Sequence, residues 1–321
     1  MNSRLWYMNA DFEMELAANS ARYKCPPPFL SINRRLAERL LWLSSPGDAL
    51  LIDPPWSPEL LDSAQSREVE LISEAGPFYH DDQTFTPWGW TPTSLTKGAI
   101  SGSVLHHPNL DVVRLVNSKL WSFELECELD IAIPGSAASS TFEELEAAVA
   151  LACPGPEDKW VIKSPYGFAA RDRMLGRGPV MAHAQAQWAK RRFTMHETLL
   201  FQPWLEVKRE YGIVMELEEN GRFNILGISD LQTNGAGTGT GYLLGRKIEP
   251  ERMRDLESIA TMVAQRLTHA AYYGPVGIDA LEHTGGLLPL LEINARYTMG
   301  FIALAVERAT SPQSPVLWST K

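Results

Sequence analysis

Read from its N-terminus, the chain alternates short apolar runs with stretches in which leucine recurs at helical spacing. Residues 5–8 and 49–52 are apolar runs of strand length, the second ending at Asp53. Between them leucines at 36, 40, 41 and 43 give residues 32–43 a helical pattern. That alternation predicts a βαβ arrangement. Pro26-Pro27-Pro28 and Pro54-Pro55-Trp56 read as rigid connectors, because proline continues neither a helix nor a strand. Phe85-Thr86-Pro87-Trp88-Gly89-Trp90 reads as an aromatic turn leading into Thr91-Pro92, an N-cap followed by a first-turn proline. The turn is either a wall of a substrate pocket or a packed loop joining two layers.

From Asn117 the periodicity is helical. Thr141 and Glu144 have capping-box spacing ahead of Leu145, Val149 and Leu151. Trp160-Val161-Ile162-Lys163 is a short buried strand ending on a lysine, residues 180–192 form a helical pattern, and residues 198–201 read as strand. Apolar runs at 211–215 and 223–228 flank Glu219-Asn220-Gly221, which predicts a hairpin. Met253, Leu256, Ile259, Val263 and Leu267 then mark a long amphipathic helix.

The richest chemistry follows that helix. Thr284-Gly285-Gly286-Leu287 reads as a two-residue turn between apolar runs, since glycine accepts the positive φ such turns need. A turn centred between Gly285 and Gly286 sets Asp279 directly across from Glu292, with Cβ atoms about 4.5–5.5 Å apart. Strand period two then places Asn294 and Arg296 on the face of Glu292, and Ile293 on the other. Two carboxylates roughly 5 Å apart repel by roughly 3 kcal/mol at an effective dielectric near 20, a cost that a bound cation removes. Mg²⁺ suits such an oxygen-rich site. On these residues alone a solvated hairpin edge with scattered charges stays open.

Composition narrows the classes. With 321 residues, 45% hydrophobic and 21% charged, the chain has globular content and room for two or three packed units. A formal charge of −10 argues against nucleic acid as a partner, while leaving room for a small anion. Cys25, Cys127 and Cys153 form no CxxC pair, and the seven histidines show no HxxxH spacing, so neither a disulfide framework nor a zinc site is expected. No run reaches the length of a membrane span, and Met1-Asn2-Ser3-Arg4-Leu5-Trp6 lacks the apolar core of a secretory signal. A cytoplasmic protein without membrane contact is expected.

In their order, these elements resemble the ATP-grasp superfamily, which includes D-alanine:D-alanine ligase, glutathione synthetase and biotin carboxylase, over residues 112–307. The resemblance implies an α/β (α+β) fold in three parts. Residues 1–111 would be a βαβ domain preceding the grasp, 112–205 a linker helix and small lid subdomain, and 206–321 a large antiparallel-sheet subdomain with the metal site. Asn117-Ser118-Lys119-Leu120, followed by Ile133-Pro134, looks like the first family lysine, its helix and the strand after it. Lys163 resembles the second lysine, so Lys119 and Lys163 would hold phosphates.

Residues 166–173 and Gly176-Arg177-Gly178 stand where the family's mobile phosphate loop lies, with Ala169 and Ala170 replacing part of the usual Gly/Ser run. The hinge, usually Glu-x-aromatic-Leu, is Gln202-Pro203-Trp204-Leu205 here, followed by Glu210. By resemblance the Gln202 amide oxygen, Trp204 and Leu205 would meet adenine, and Glu210 the ribose. Asp279 with the Glu292-x-Asn294 pair would hold Mg²⁺, or Mn²⁺ in its place. Arg296 completes a pattern of carboxylate-activating members and would serve the acyl group, with Arg296 and Lys163 the catalytic pair; a structural salt bridge is the other reading of Arg296.

The glycine-rich segment 232–241 matches neither Walker nor GxGxxG spacing and reads as a flexible flap. The function implied is an ATP-dependent ligase joining a small-molecule carboxylate, an amino acid or short peptide, to an amine through an acyl-phosphate. A homodimer is compatible with it. A grasp-fold small-molecule kinase and a non-catalytic nucleotide-binding module are the alternatives.

Overall fold

In the computed structural model, which describes residues 3–20, 22–74, 81–167, 172–235 and 237–319, three sheets organise the chain. The first is built from β1 (Arg4–Tyr7), β2 (Ala49–Leu51), β3 (Glu70–Ile72) and β4 (Thr84–Pro87). Its strands are parallel in the order β3-β2-β1-β4, so the sheet order reverses at β1. Helix α1 (Phe12–Ala18) follows β1; α2 (Pro27–Ala37) runs on into a 3₁₀ turn over Glu38–Trp42 before β2; α3 (Pro58–Ser66) connects β2 to β3; and α4 (Pro92–Ile100) follows β4.

The βαβ expectation holds, with two corrections. Pro27 and Pro28 open α2 instead of interrupting the chain, because the first turn of a helix has no use for their missing N–H groups. The aromatic segment is not all turn: Phe85 and Pro87 lie in β4, where Pro87 is tolerated because β4 is at the edge of its sheet. Thr91 caps α4 through a reciprocal box with Ser94.

The helical stretch near Asn117 is two helices, α5 (Leu110–Val116) and α6 (Lys119–Glu128), with Ser118 capping the second. The second sheet follows: β5 (Ala137–Ser139), α7 (Phe142–Ala152), β6 (Lys159–Lys163), β7 (Arg173–Arg177), α8 (His183–Thr194) and β8 (Leu199–Pro203). Its order is β5-β8-β6-β7, antiparallel throughout, over a separate core that includes Leu145, Trp160, Ile162 and Phe201. Ile133-Pro134 precedes β5 as loop and is not the expected strand. Helix α8 starts three residues later than the pattern suggests, since Met181 is drawn into this core ahead of the helix. Of the expected phosphate loop, Phe168, Ala169, Ala170 and Arg171 lie outside the described residues.

The third sheet takes β9 (Val207–Leu217), β10 (Phe223–Thr233), β11 (Gly239–Leu244), β12 (Gly274–His283), β13 (Gly286–Asn294) and β14 (Val316–Ser319), in the antiparallel order β13-β12-β9-β10-β11-β14. Helix α9 (Pro250–His269) buries Leu256, Ile259, Val263 and Leu267 with Ile213, Met215 and Ile278 of the sheet. Helix α10 (Met299–Thr310) packs Phe301, Ile302 and Val306 with Trp6, Leu50 and Trp88 of the first sheet's layer, fastening that layer to the third sheet. The glycine-rich segment joins β10 to β11, where Thr233 pairs with Gly239 and Asn234 accepts the Thr238 N–H at 3.0 Å; Ala236 within it lies outside the described residues.

The β12–β13 register departs from expectation twice, and the departures cancel. Its turn is Thr284-Gly285, one residue early, with His283 opposite Gly286 and Leu281 opposite Leu288. Gly286, not the pair Gly285-Gly286, supplies the positive φ, 132°. A bulge then sets Pro289, Leu290 and Leu291 against Ala280 alone, where Pro289 has no N–H to offer a ladder. The two-residue surplus restores the pairing, and Asp279 faces Glu292.

Candidate active site

Polar side chains at and just before the start of α6 pin it to the end of β13. Asn117, just before α6, exchanges hydrogen bonds with the Ala295 backbone, at 3.3 Å to its carbonyl and 2.9 Å from its N–H. Ser122 accepts the Ile293 N–H at 3.0 Å. Lys119, first residue of α6, is thereby held over β13, where its ammonium donates to Glu292 Oε1 at 2.8 Å and to the Gly167 carbonyl at 3.3 Å. Lys163, at the end of β6, donates to Gln202 Oε1 on β8 at 2.7 Å.

On the sheet below, Asn294 bridges two partners: its Nδ2 donates to Asp279 Oδ2 at 3.1 Å, and its Oδ1 accepts from Arg296 at 3.0 Å. Arg296 also donates to Glu13 Oε1 at 2.5 Å, a pair in which the side chains keep 12% and 5% exposure. A cavity of about 250 Å³ gathers Lys119, Lys163, Asp279, Glu292, Asn294 and Arg296. A smaller one of about 110 Å³, sharing Lys163 and Glu210 with it, is walled by Gln202, Trp204 and Leu205. All ten residues singled out in the sequence thus converge on two adjoining spaces between the second and third sheets.

The charges are unevenly satisfied. Burial works against ionisation of Glu292, but Lys119 and Lys163 overcome it and hold the carboxyl below its usual range. Burial likewise opposes the Lys119 charge, and Glu292 and Glu13 outweigh it, so that ammonium is raised. For Lys163 burial prevails, aided by Lys119, and its ammonium is lowered. Asp279 is pushed up to about 7, first by burial and then by Glu292 opposite. The repulsion expected between the two acids therefore falls on Asp279, because Glu292 has a lysine and Asp279 has only an amide hydrogen bond.

An oxygen-seeking cation fits this set. Two opposed acids and the Asn294 amide oxygen, here accepting from Arg296, offer oxygen ligands, and Asp279 makes no ion pair with a lysine or arginine among the described residues. Among the described residues no group of three His, Cys, Asp or Glu side chains forms a denser alternative.

Two expectations change in detail. The Gln202 amide oxygen faces Lys163, not an open adenine pocket, and its Nε2 is buried without a partner. What Gln202 can offer a base is therefore a donor. Arg296 is already clamped by Glu13 and Asn294, so the salt-bridge reading describes this state of the protein.

Sequence reasoning gave no site role to Glu13, Glu126 and Thr233, and placed Arg173 only within the phosphate-loop segment. Glu13 joins the cavity from α1, with one carboxylate oxygen bonded to Arg296 and Oε2 buried without a partner. Alternating acids at 11, 13 and 15 directly after a strand were its signal. Glu126 has 0% exposure and no partner for either oxygen; the spacing of Lys119, Ser122 and Glu126 marked a polar stripe on one helical face. Thr233 donates its hydroxyl to Glu210 Oε1 at 2.5 Å. Burial raises the Glu210 carboxyl, against that hydrogen bond and the charge of Arg173.

No family model matches the chain, and comparison with curated protein sequences returns no match. Solved structures do match. Biotin carboxylase from Campylobacter jejuni, a β,γ-ATP complex, is similar over 95% of this chain and 68% of its own, with a TM-score of 0.59 and 10% identity. The biotin carboxylase domain of Hydrogenobacter thermophilus 2-oxoglutarate carboxylase, solved with MgADP, ADP and bicarbonate, matches over 99% and 72%, with a TM-score of 0.56 and 13% identity. N5-carboxyaminoimidazole ribonucleotide synthetase from Thermus thermophilus matches over 88% and 78%, with a TM-score of 0.54 and 16% identity. At these identities the likeness establishes the fold, which is that of the ATP-grasp superfamily.

Proposed function

We propose that this chain is an ATP-dependent carboxylate–amine ligase acting through an acyl-phosphate. The observation that carries the reading is the meeting, in one cavity, of the Asp279–Glu292 pair from below with Lys119 and Lys163 from above and Arg296 beside them. Phosphoryl transfer needs that disposition, because catalysis rests on positioning and on spreading the charge of the transferred group. The nucleotide and MgADP complexes of the structural neighbours support it.

Asp279, Glu292 and Asn294 would hold Mg²⁺, or Mn²⁺, which when bound neutralises triphosphate charge. Trp204 and Leu205 wall the smaller cavity against the purine, and Gln202 donates its free amide hydrogen to it. Glu210, oriented by Thr233, takes ribose hydroxyls. Lys119 and Lys163 turn from Glu292 and Gln202 to the phosphates. Arg296 turns to pair with the substrate carboxylate, whose oxygen attacks the γ-phosphorus as ADP leaves. A neutral amine then attacks the acyl carbon; the C–N bond forms, the C–O bond to phosphate breaks, phosphate departs and the nitrogen loses a proton.

Residues 1–111 would supply the substrate side, 112–205 the lid and 206–321 the metal side. Amino acids or short peptides are the substrate class. Hydroxylamine tests the reading, since an acyl-phosphate reacts with it to give a hydroxamate and a phosphorylated alcohol or amine does not. Hydroxamate should form in step with ADP when the active carboxylate is present. ADP with a stable phosphorylated product and no hydroxamate would instead identify a kinase.

A further inference from the structure

A third cavity, about 620 Å³, opens beyond the carboxyl ends of β1 and β2. That is where the strand order of the parallel sheet reverses, the place at which open α/β sheets leave a crevice for ligands. Its floor carries Asp11 and Glu15, each only 4% exposed. Asp11 accepts from the Tyr23 hydroxyl at 3.0 Å and the Asn33 amide at 2.8 Å. Glu15 Oε1 accepts the Thr93 N–H at 2.8 Å.

Neither acid has a counter-cation among those residues. The cavity's cations are otherwise engaged: Lys97, over the Tyr7 ring, pairs with Glu74, Arg34 donates to the Pro54 and Pro55 carbonyls, and Lys24 is exposed. Two buried carboxylates met only by neutral donors are costly without a positive partner. The field they create shows in their neighbours. Burial first, and then Asp11 and Glu15, push the Cys25 thiol up to about 12 against the charge of Lys97, and burial with Glu74, Asp11 and Glu15 raises the Tyr7 hydroxyl.

Size and lining decide what the partner is. The space far exceeds a metal ion, no three-ligand cluster exists among the described residues, and Tyr7, Tyr23, Leu51 and Ile52 give it apolar walls. We infer that this cavity binds an organic primary ammonium group on an apolar body, with Asp11 and Glu15 as its anchor. Asp11 and Glu15 are four apart and share a face of α1, whereas Glu13 points the other way, into the catalytic cavity. Helix α1 thus separates the two spaces. A carboxylate pair keeps an ammonium protonated and non-nucleophilic, so this nitrogen positions the ligand and does not react. The inference rests on the ligase reading in one respect, that the ligand so anchored is a substrate.

The test is calorimetric titration of the full chain, without nucleotide, with phenethylamine and with its neutral counterpart phenethyl alcohol. The parent should prefer the amine by about tenfold or more. Glu15→Gln, which keeps an oxygen for the Thr93 N–H, should lose that preference, as should Asp11→Asn, while ADP affinity stays unchanged in both. Equal affinities for amine and alcohol in the parent, or an undiminished amine preference in Glu15→Gln, would overturn the inference. If a variant fails to fold, the parent's discrimination decides alone. Hydroxamate formation without any amine preference would remove this site and spare the ligase reading; amine preference without hydroxamate would do the reverse.

Discussion

Replacing Glu126 by glutamine should change how stability depends on pH more than it changes stability at any single pH. Glu126 is wholly buried on α6, and neither of its oxygens has a partner. Burial pushes its carboxyl up to about 8 from an ordinary 4.5; Lys163 opposes the rise and Glu292 adds to it. The folded chain therefore binds this proton more tightly than the unfolded chain. Its contribution to stability is fully present below pH 4.5 and is lost as pH rises through about 8. At about 1.36 kcal/mol per pH unit, the interval is worth up to about 5 kcal/mol, and water entry or side-chain relaxation reduces that toward about 2. Glutamine cannot titrate. Its buried NH₂ group brings a cost of about 1–3 kcal/mol, but that cost is the same at every pH. Urea unfolding of parent and Glu126→Gln at intervals from pH 5 to pH 9 reads the difference directly, because the other titrating groups cancel. The variant's stability relative to the parent should rise by about 2–5 kcal/mol across that range. Parallel profiles would refute the argument and mean that Glu126 finds a partner or water in solution.

Lys163→Ala should weaken ADP binding about ten- to a hundredfold through loss of one charge-assisted contact, whereas Lys190→Ala, exposed on α8, should leave it unchanged; equal affinities by calorimetry would remove Lys163 from the site. Glu292→Gln should abolish ADP formation and cost about 3–5 kcal/mol, because it strands the Lys119 ammonium whose side chain is only 12% exposed. Adding Lys119→Met should recover much of that stability in urea melts without restoring activity, and an unchanged midpoint in the single variant would show that the ion pair does not stabilise the fold. A Cβ at Gly176 would lie 2.0 Å from the Trp160 ring, so Gly176→Ala should cost about 1–3 kcal/mol and expose residues 137–203 to protease before the rest of the chain; an unaltered cleavage pattern would count against it.

What the sequence made legible in the fold were elements whose burial has a complete period. Helix α9 shows its apolar face over twenty residues, and β6 buries Trp160, Val161 and Ile162 in succession between two lysines. Proline was the main source of error, because a connector proline and a first-turn proline look alike until the next turn is seen, as at Pro27 and Pro28. Strands β5 and β14 carry too little pattern to find. β5 is three small residues that exist as a strand through pairing with β8, and β14 is largely exposed and added at the edge beside β11.

The site divides along the same line, between chemistry that is local in sequence and chemistry that is not. Glu13 meets Arg296 across 283 residues, and no spacing within either segment announces the other. Lys119 and Lys163 were placed by the order of elements they share with a known fold, since a lysine beginning a helix or ending a strand is ordinary by itself. The Asp279–Glu292 pair differs because both acids lie in one hairpin, where sequence separation constrains space. Even there the turn was misplaced and the bulge unforeseen. The pairing came out the same because the bulge added two residues where the turn had removed two. The facing of the two acids would have tolerated more. Side chains alternate with period two, so an uncorrected slip of two residues still leaves both carboxylates on one face as diagonal neighbours, while a slip of one sends the acids to opposite faces. Parity, more than the identity of the turn residues, is what made a shared carboxylate face readable from the chain.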